Sequence, residues 1–301
     1  MARNESTVFR QASGRVMREP ITFSAFAEQK TREASTATIG TLTTALDWSE
    51  SATTRWIGNA WTRLHYEGDF GLVVEPDTRT SVSLVFVQSR DGNTAGGNPS
   101  ALGGGETDKH LLYEGLSRVA ADAVLVGART VHPAAFFSVW HPELVALRLS
   151  LGLSRHPAQL VISKRGHFDF RSLLFNVPGV PVFLIGGEGC LVRHAVALRE
   201  RPWVQPITWP GDELTAPIEH LRLQHGIRRI SAVGGRLTAT SLVDDGLVQD
   251  VYLTTSSRAG GAPGTPWYGG THSLALTVTT RKEWMDEGSR LIFEHILIGE
   301  S

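Results

Sequence analysis

The sequence predicts an α/β fold: a mixed, mostly parallel sheet flanked by helices, with antiparallel C-terminal strands. Three observations carry that reading. Between about residues 81 and 245, short β-branched apolar runs alternate with helical patterns, which builds βαβ units. From Val248 onward, strand-like runs follow one another with no helix between them, which adds antiparallel edge strands. Two apolar runs also break abruptly into glycine, Asp122-Ala-Val-Leu-Val-Gly-Ala-Arg-Thr-Val131 and Arg229-Ile-Ser-Ala-Val-Gly-Gly-Arg-Leu-Thr238. Strands that end in small residues let a phosphate approach backbone N–H groups. Two such turns in one domain point to a dinucleotide held across the ends of a sheet.

Residues 1–75 read as an N-terminal extension, partly helical, rich in Thr, Ser and Ala. Thr41 to Leu64 contains Leu42, Leu46, Trp48, Trp56, Ile57, Trp61 and Leu64, and the later part of this pattern fits an amphipathic helix with Ser51 or Thr54 as its cap. The first thirty residues read as poorly ordered. Glu75-Pro76-Asp77 marks a boundary, since Pro disfavours helix at the residue before it, and 76–301 form the main domain. Within that domain Ser81–Gln88 reads as a strand. A helix follows over Glu106–Val119, with Leu111, Leu112, Leu116 and Val119 on one face and Thr107 or Asp108 at its start. Ala123–Val126, Gln159–Ser163, Pro181–Ile185 and Ile230–Val233 read as strands. Pro142–Leu151, Ala216–His225 and Leu237–Asp245 read as helices, and Val248–Thr255, Leu274–Thr280 and Arg290–Leu297 as the closing strands.

Bulk properties exclude several classes. The 301 residues carry a formal net charge of −1, which argues against nucleic-acid and anionic-membrane partners. No apolar stretch is long enough to span a bilayer, and the N-terminus lacks the apolar core of a signal peptide. The single cysteine, Cys190, makes neither an internal disulfide nor a cysteine-rich zinc site. These features describe a soluble, cytoplasmic protein. No His-x-Glu with Pro-Cys-x-x-Cys, no Gly-x-Ser-x-Gly elbow and no Walker loop occurs. The glycine-rich run 259–266 lacks the Lys-Ser/Thr of a phosphate loop and reads as a surface loop. His110, His132, His141, His156 and His167 show no metal-ligand spacing on one element.

The order of motifs resembles a known family. Ser89-Arg90-Asp91-Gly92 closes a strand, Ser100 follows, and a helix carries Arg118. Then come the Val-Gly-Ala-x-Thr strand, Val161-Ile162-Ser163-Lys164, the Gly-Gly turn and Gly246-Leu-Val-Gln-Asp-Val-Tyr252. Over about residues 75–298 this is similar to the reductase domain of riboflavin biosynthesis, which has a dihydrofolate-reductase-like fold. The missing deaminase pattern means that the deaminase half of the bifunctional enzyme is absent from this sequence.

The resemblance implies an NADPH-dependent reductase of 5-amino-6-(5-phosphoribosylamino)uracil that converts the ribosyl group to ribityl, and a homodimer. Gly127, Ala128 and Thr130, together with Gly234, Gly235, Arg236, Leu237 and Thr238, carry over as cofactor contacts. Ser163 joins them, and Lys164 and Arg165 suit a 2′-phosphate. Ser100 and Arg118 carry over as substrate contacts, Arg118 as a bidentate phosphate ligand. Asp91 either orients substrate and relays a proton or is an Asp-Gly turn residue. Two positions depart from the family. Val233 stands where an acidic residue usually precedes the Gly-Gly turn, and Ala134 where another usually follows the threonine by four. Phe136 and Phe137 are expected to make the pocket more apolar. Lost polar handles change selectivity, so two other readings stand beside the first: a reductase of another pterin-, folate- or pyrimidine-like compound, and a non-catalytic NADPH-binding paralogue.

Overall fold

The computed structural model describes residues 22–48, 54–74, 78–95, 102–164, 166, 168–211, 213–286 and 289–299. Ten strands form one sheet. Seven are parallel: β10 (Val248–Ser256), β4 (Ser81–Gln88), β9 (Arg229–Val233), β5 (Ala123–Gly127), β6 (Ala158–Ser163), β7 (Val182–Gly186) and β8 (Val204–Thr208), in that order across the sheet. On the free side of β10 follow β12 (Ser289–Gly299), β11 (Ala275–Asp286) and β1 (Thr43–Asp47), all antiparallel. The mostly parallel sheet with antiparallel C-terminal strands therefore stands as expected. Central strands buried on both faces read as continuous apolar runs, which is why Ala123–Gly127 and Arg229–Val233 were legible in sequence.

Helices cover both faces. On one, Val82, Leu84, Leu125, Leu160 and Ile185 pack against α7 (Thr215–His225) and α8 (Arg236–Asp244). On the other, Val85, Val124, Val161, Val233 and Tyr252 meet α3 (Gly105–Asp108) with its π-helical continuation Lys109–Leu116, and α4 (Pro142–Ser150). The wider turn shows in the i to i+5 bond from Ser117 N–H to Leu112 O, 2.9 Å. Leu111, Leu112, Leu116 and Val119 point inward as the spacing predicts. Neither Thr107 nor Asp108 caps this helix. Thr107 Oγ1 accepts from Gly40 N–H at 2.9 Å, and Asp108 accepts from the Thr254 hydroxyl.

The N-terminal segment differs most from expectation. A helix, α1 (Phe23–Ser35), begins inside the stretch read as disordered, capped by Thr22 Oγ1 accepting from Ala25 N–H. After β1, the expected amphipathic helix is instead β2 (Thr54–Ile57) and the short α2 (Ala60–His65), with β3 (Phe70–Val73) pairing β2. Thr54 is a strand residue, and the cap of α2 is Asn59, which accepts from Thr62 N–H at 3.0 Å in a reciprocal capping box. Ser51, the boundary tripeptide 75–77 and residues 1–21 lie outside the described residues. Pairing with β11 decides β1, whose Thr-rich sequence carries no apolar alternation of its own. Two short helices, α5 (Glu188–Arg193) and α6 (Ala195–Arg199), and edge strand β8 went unpredicted.

This segment packs tightly onto the domain. Phe70 is fully buried, and a Cβ on Gly115 would stand 2.8 Å from its ring and 3.0 Å from the His110 carbonyl. Trp61 stacks on His141, centroids 4.4 Å apart, and Phe23 packs on Phe136 and His156. Burial holds the His141 and His156 imidazoles neutral, each pushed down to about 4.

Two predictions follow from this packing. Alanine for helical glycine ordinarily gains up to about 1 kcal/mol, but overpacking costs about 1–3 kcal/mol. The His110 carbonyl cannot move aside, so Gly115→Ala lowers unfolding free energy in denaturant titration. Because the two histidines take up protons only on unfolding, stability falls with acidification from pH 6.5 towards 4. His141→Phe, which keeps the stacking on Trp61, flattens that dependence in pH-resolved melting curves.

Candidate functional site

The parallel strands end in a row on one side of the sheet. β5 runs through Gly127 into a 3₁₀ turn, Ala128–Thr130. β9 ends at Val233, and Gly234 and Gly235 follow at φ +74° and +84° before α8 begins. Any other residue there meets the left-handed penalty of about 1–2 kcal/mol. The register pairs Leu125 with Ala232, so Gly127 lies beside Gly234. A Cβ on Gly127 would stand 2.7 Å from Thr238 Oγ1, and one on Gly235 would stand 3.6 Å from both Thr130 Oγ1 and Thr238 Oγ1. Thus Gly127, Thr130, Gly234, Gly235 and Thr238 come together from three elements, with Ala128 beside them. No side chain caps α8, so the first N–H groups of this nine-residue helix face the glycine cradle. Absent side chains, uncapped N–H groups and two hydroxyls fit a pyrophosphate.

The row continues across the sheet. Gly127 pairs with Ile162, and Ser163 with Gly186. From β9 to β7 this is about 14 Å at roughly 4.8 Å per strand, a span suited to a dinucleotide. Ser163 Oγ accepts from Gly166 N–H at 3.0 Å, so it shapes the turn after β6. Lys164 is exposed, its Nζ 5.7 Å from the Trp209 ring centroid. Cys190 fills the space beneath Gly166 and Gly186, and burial pushes its thiol up. Arg165 and Ser100 lie outside the described residues.

Other expected residues have structural partners. Arg236 Nη1 donates to Gly264 O at 3.1 Å and so holds the 259–266 loop over the start of α8. Leu237 is exposed on the first turn of that helix. Asp91 sits in a turn closed by Gly92 N–H to Ser89 O, and its Oδ2 accepts from Gly260 N–H at 3.1 Å. It thus joins the same loop to the end of β4, as an Asp-Gly turn residue.

Arg118 is not brought to the glycine cradle. It precedes β5, at the opposite ends of the strands, and is 2% exposed. Its guanidinium stacks on Tyr113, 3.6 Å from the ring centroid, and donates to Ser138 O at 3.1 Å. A phosphate-binding role does not follow from that placement. Phe136 and Phe137 are core residues packed with Trp140 and Arg118. Val233 is buried and Ala134 is exposed.

One functional candidate was misread in sequence as a helix cap. Asp108 ends α3, where the helix opens into its π turn. Its carboxyl accepts from Thr254 on β10, and burial pushes it up to about 6. The legible signal was a carboxylate three residues after Gly103-Gly104-Gly105 at a loop–helix junction.

A mostly parallel sheet closed by antiparallel C-terminal strands, with a glycine cradle at its carboxyl ends, defines the dihydrofolate-reductase-like class. Residues 80–293 match the RibD C-terminal domain family, and the chain belongs to that family of riboflavin-biosynthesis pyrimidine reductases. Among solved structures it is similar to a pyrimidine reductase-like protein from Corynebacterium diphtheriae, at 21% identity and TM-score 0.60, covering 74% of this chain and 93% of that one. RibD of Acinetobacter baumannii matches at 14% identity and TM-score 0.56, covering 74% of this chain and 59% of that one. Riboflavin biosynthesis reductase Rib7 of Saccharomyces cerevisiae matches at 17% identity and TM-score 0.51, covering 74% and 92%. No curated protein matches the chain. Among the described residues no helix is long and apolar enough to cross a membrane.

Gly127→Ala tests the cradle. The added Cβ displaces Thr238 and the first turn of α8, so dinucleotide affinity falls about tenfold, or 1.4 kcal/mol, in a fluorescence titration. Unchanged affinity would detach the cradle from the cofactor.

Proposed function

We propose that this chain is an NADPH-dependent reductase of 5-amino-6-(5-phosphoribosylamino)uracil, opening the ribosyl ring to a ribityl chain. The observation that carries the reading is the cradle of Gly127, Thr130, Gly234, Gly235 and Thr238 in a chain of the RibD C-terminal domain family. When bound, the nicotinamide supplies a hydride. Gly234 and Gly235 admit the pyrophosphate to the N–H groups of α8, and Thr130 and Thr238 offer hydroxyls to it. Arg236 and Asp91 hold the 259–266 loop beside the cradle, limiting water there. Lys164 is the cation assigned to the 2′-phosphate.

A second reading keeps the cofactor and changes the substrate to another pterin-, folate- or pyrimidine-like compound. It is favoured by Val233, which is buried and apolar beside the Gly-Gly turn. Homodimerisation, as in the family pattern, belongs with either reading.

Both are tested by NADPH oxidation with the deaminated aminouracil ribosyl phosphate, run beside NADPH and NADH titrations. The expected outcome is turnover on the order of 1–10³ s⁻¹. A charge-assisted contact is worth about 1.5–3 kcal/mol, so Lys164→Ala is expected to weaken NADPH at least tenfold and leave NADH unchanged. Tight NADPH binding without turnover favours the second reading, and no dinucleotide binding rejects both.

A further inference from the structure

Asp108 is a half-buried carboxyl on the face covered by α3, hydrogen-bonded to a strand residue near the level of the cradle. Thr254 pairs with Val87 on β4, and Val85 pairs with Val233 on β9. Thr254 therefore lies two residues beyond the level of Val233, on the side of the glycine turn and two strands away, about 10 Å across the sheet. Tyr252 belongs to the core on the α3 side, and Thr254, two residues further, shares its face. The carboxyl is held at one oxygen and has room at the other. Oδ1 accepts from the fully buried Thr254 hydroxyl. Oδ2 lies against Gly104, where a Cβ would approach it to 2.6 Å. Gly104 has an ordinary helical φ of −61°, so its missing side chain serves space rather than backbone conformation.

Two pairs of charged groups nearby are engaged with each other. On the same helix, Glu106 pairs with Lys109 at 2.8 Å and with His110 at 3.1 Å. From α1, Lys30 pairs with Glu33 at 2.7 Å. After β10, Arg258 packs its aliphatic stem against Gly103. Tyr252 on β10 keeps its proton, its phenol pushed up by burial and by Asp250. No cation among the described residues pairs with Asp108, so desolvation dominates its titration and the Thr254 hydroxyl only partly offsets it.

From this geometry we infer that Asp108 is the proton donor of the reduction, oriented by Thr254 and given room by Gly104. The inference rests on the reductase reading above. As hydride arrives at ribose C1′, the C1′–O4′ bond breaks and O4′ leaves with the electron pair. O4′ takes the Asp108 proton, and the resulting carboxylate is reprotonated from solvent. One hydride and one solvent proton are consumed per turnover. A carboxyl near 6 is poised for this task at neutral pH. The π turn that begins at Lys109 sets where α3 ends and so where Asp108 stands.

The test compares wild type, Asp108→Asn and Thr254→Val in the full chain. In wild type, kcat/KM falls as pH rises through about 6, because the neutral acid is the active form. Asp108→Asn loses about 10²–10⁴-fold in kcat, loses that pH limb, and keeps its NADPH dissociation constant within about twofold. Thr254→Val removes the hydroxyl that favours the carboxylate, so the limb moves to higher pH. Carbon-13 NMR of the aspartate carboxyls in the ligand-free protein reads the same titration without turnover, assigned by the signal missing in Asp108→Asn. An Asp108→Asn variant within about twofold of wild-type kcat overturns the proposal, as does a carboxyl titrating near the ordinary value of about 3.9. Absence of turnover in wild type overturns the substrate reading instead, and the carboxyl titration then still decides for or against a neutral Asp108.

Discussion

The site depends on the register of one inserted strand. β9 arrives late in the chain and lies between β4 and β5, and Asp122 fixes where it starts. Asp122 Oδ2 accepts from both Arg228 N–H and Arg229 N–H at 2.8 Å, while its own N–H donates to Arg229 O at 2.9 Å. A shift of one residue would turn every side chain of β9 to the other face and move Gly234 away from Gly127. The cradle, the uncapped start of α8 and the level of Thr254 relative to Gly235 all follow from this clamp.

Buried polar groups elsewhere serve the same corner. Arg148 is 1% exposed and donates through Nη1 to the carbonyls of Arg118, Val119 and Ala121, and through Nε to Ser154. Burial pushes its guanidinium down to about 10, and multiple carbonyl acceptors offset the desolvation. It holds the chain leaving the π-helical segment in place for entry into β5. Across the sheet, Asp250 accepts from His295 at 2.7 Å and stays below the usual carboxylate range despite full burial. That pair ties β10 to β12, and so the antiparallel half of the sheet to the half that carries Thr254. The N-terminal segment completes the molecule rather than hanging from it. Lys282 on β11 donates to Thr44 Oγ1 and to Glu67 O, and stands 4.4 Å from the centroid of the Tyr66 ring.

What the sequence by itself determined is the parallel half of the sheet and the position of its glycine turns. Buried parallel strands need continuous apolar runs, and a backbone at φ near +80° needs glycine, so both leave a local mark at Ala123–Gly127 and Arg229–Gly235. Asp91 carried two readings in sequence, a substrate or proton-relay carboxylate and an Asp-Gly turn residue, and the fold places it in the turn that holds the 259–266 loop. Tertiary structure alone decided the rest. β1 is a strand because β11 offers it hydrogen bonds, and nothing in Thr-Thr-Ala-Leu-Asp records that partner. Arg118 is a core residue because Tyr113 and Phe137 close over it. Asp108 and Thr254 stand 146 residues apart in the chain, so a carboxylate that reads locally as a helix cap acquires its environment only when β10 joins β4. Burial and desolvation are properties of the assembled sheet, and no window of sequence contains them.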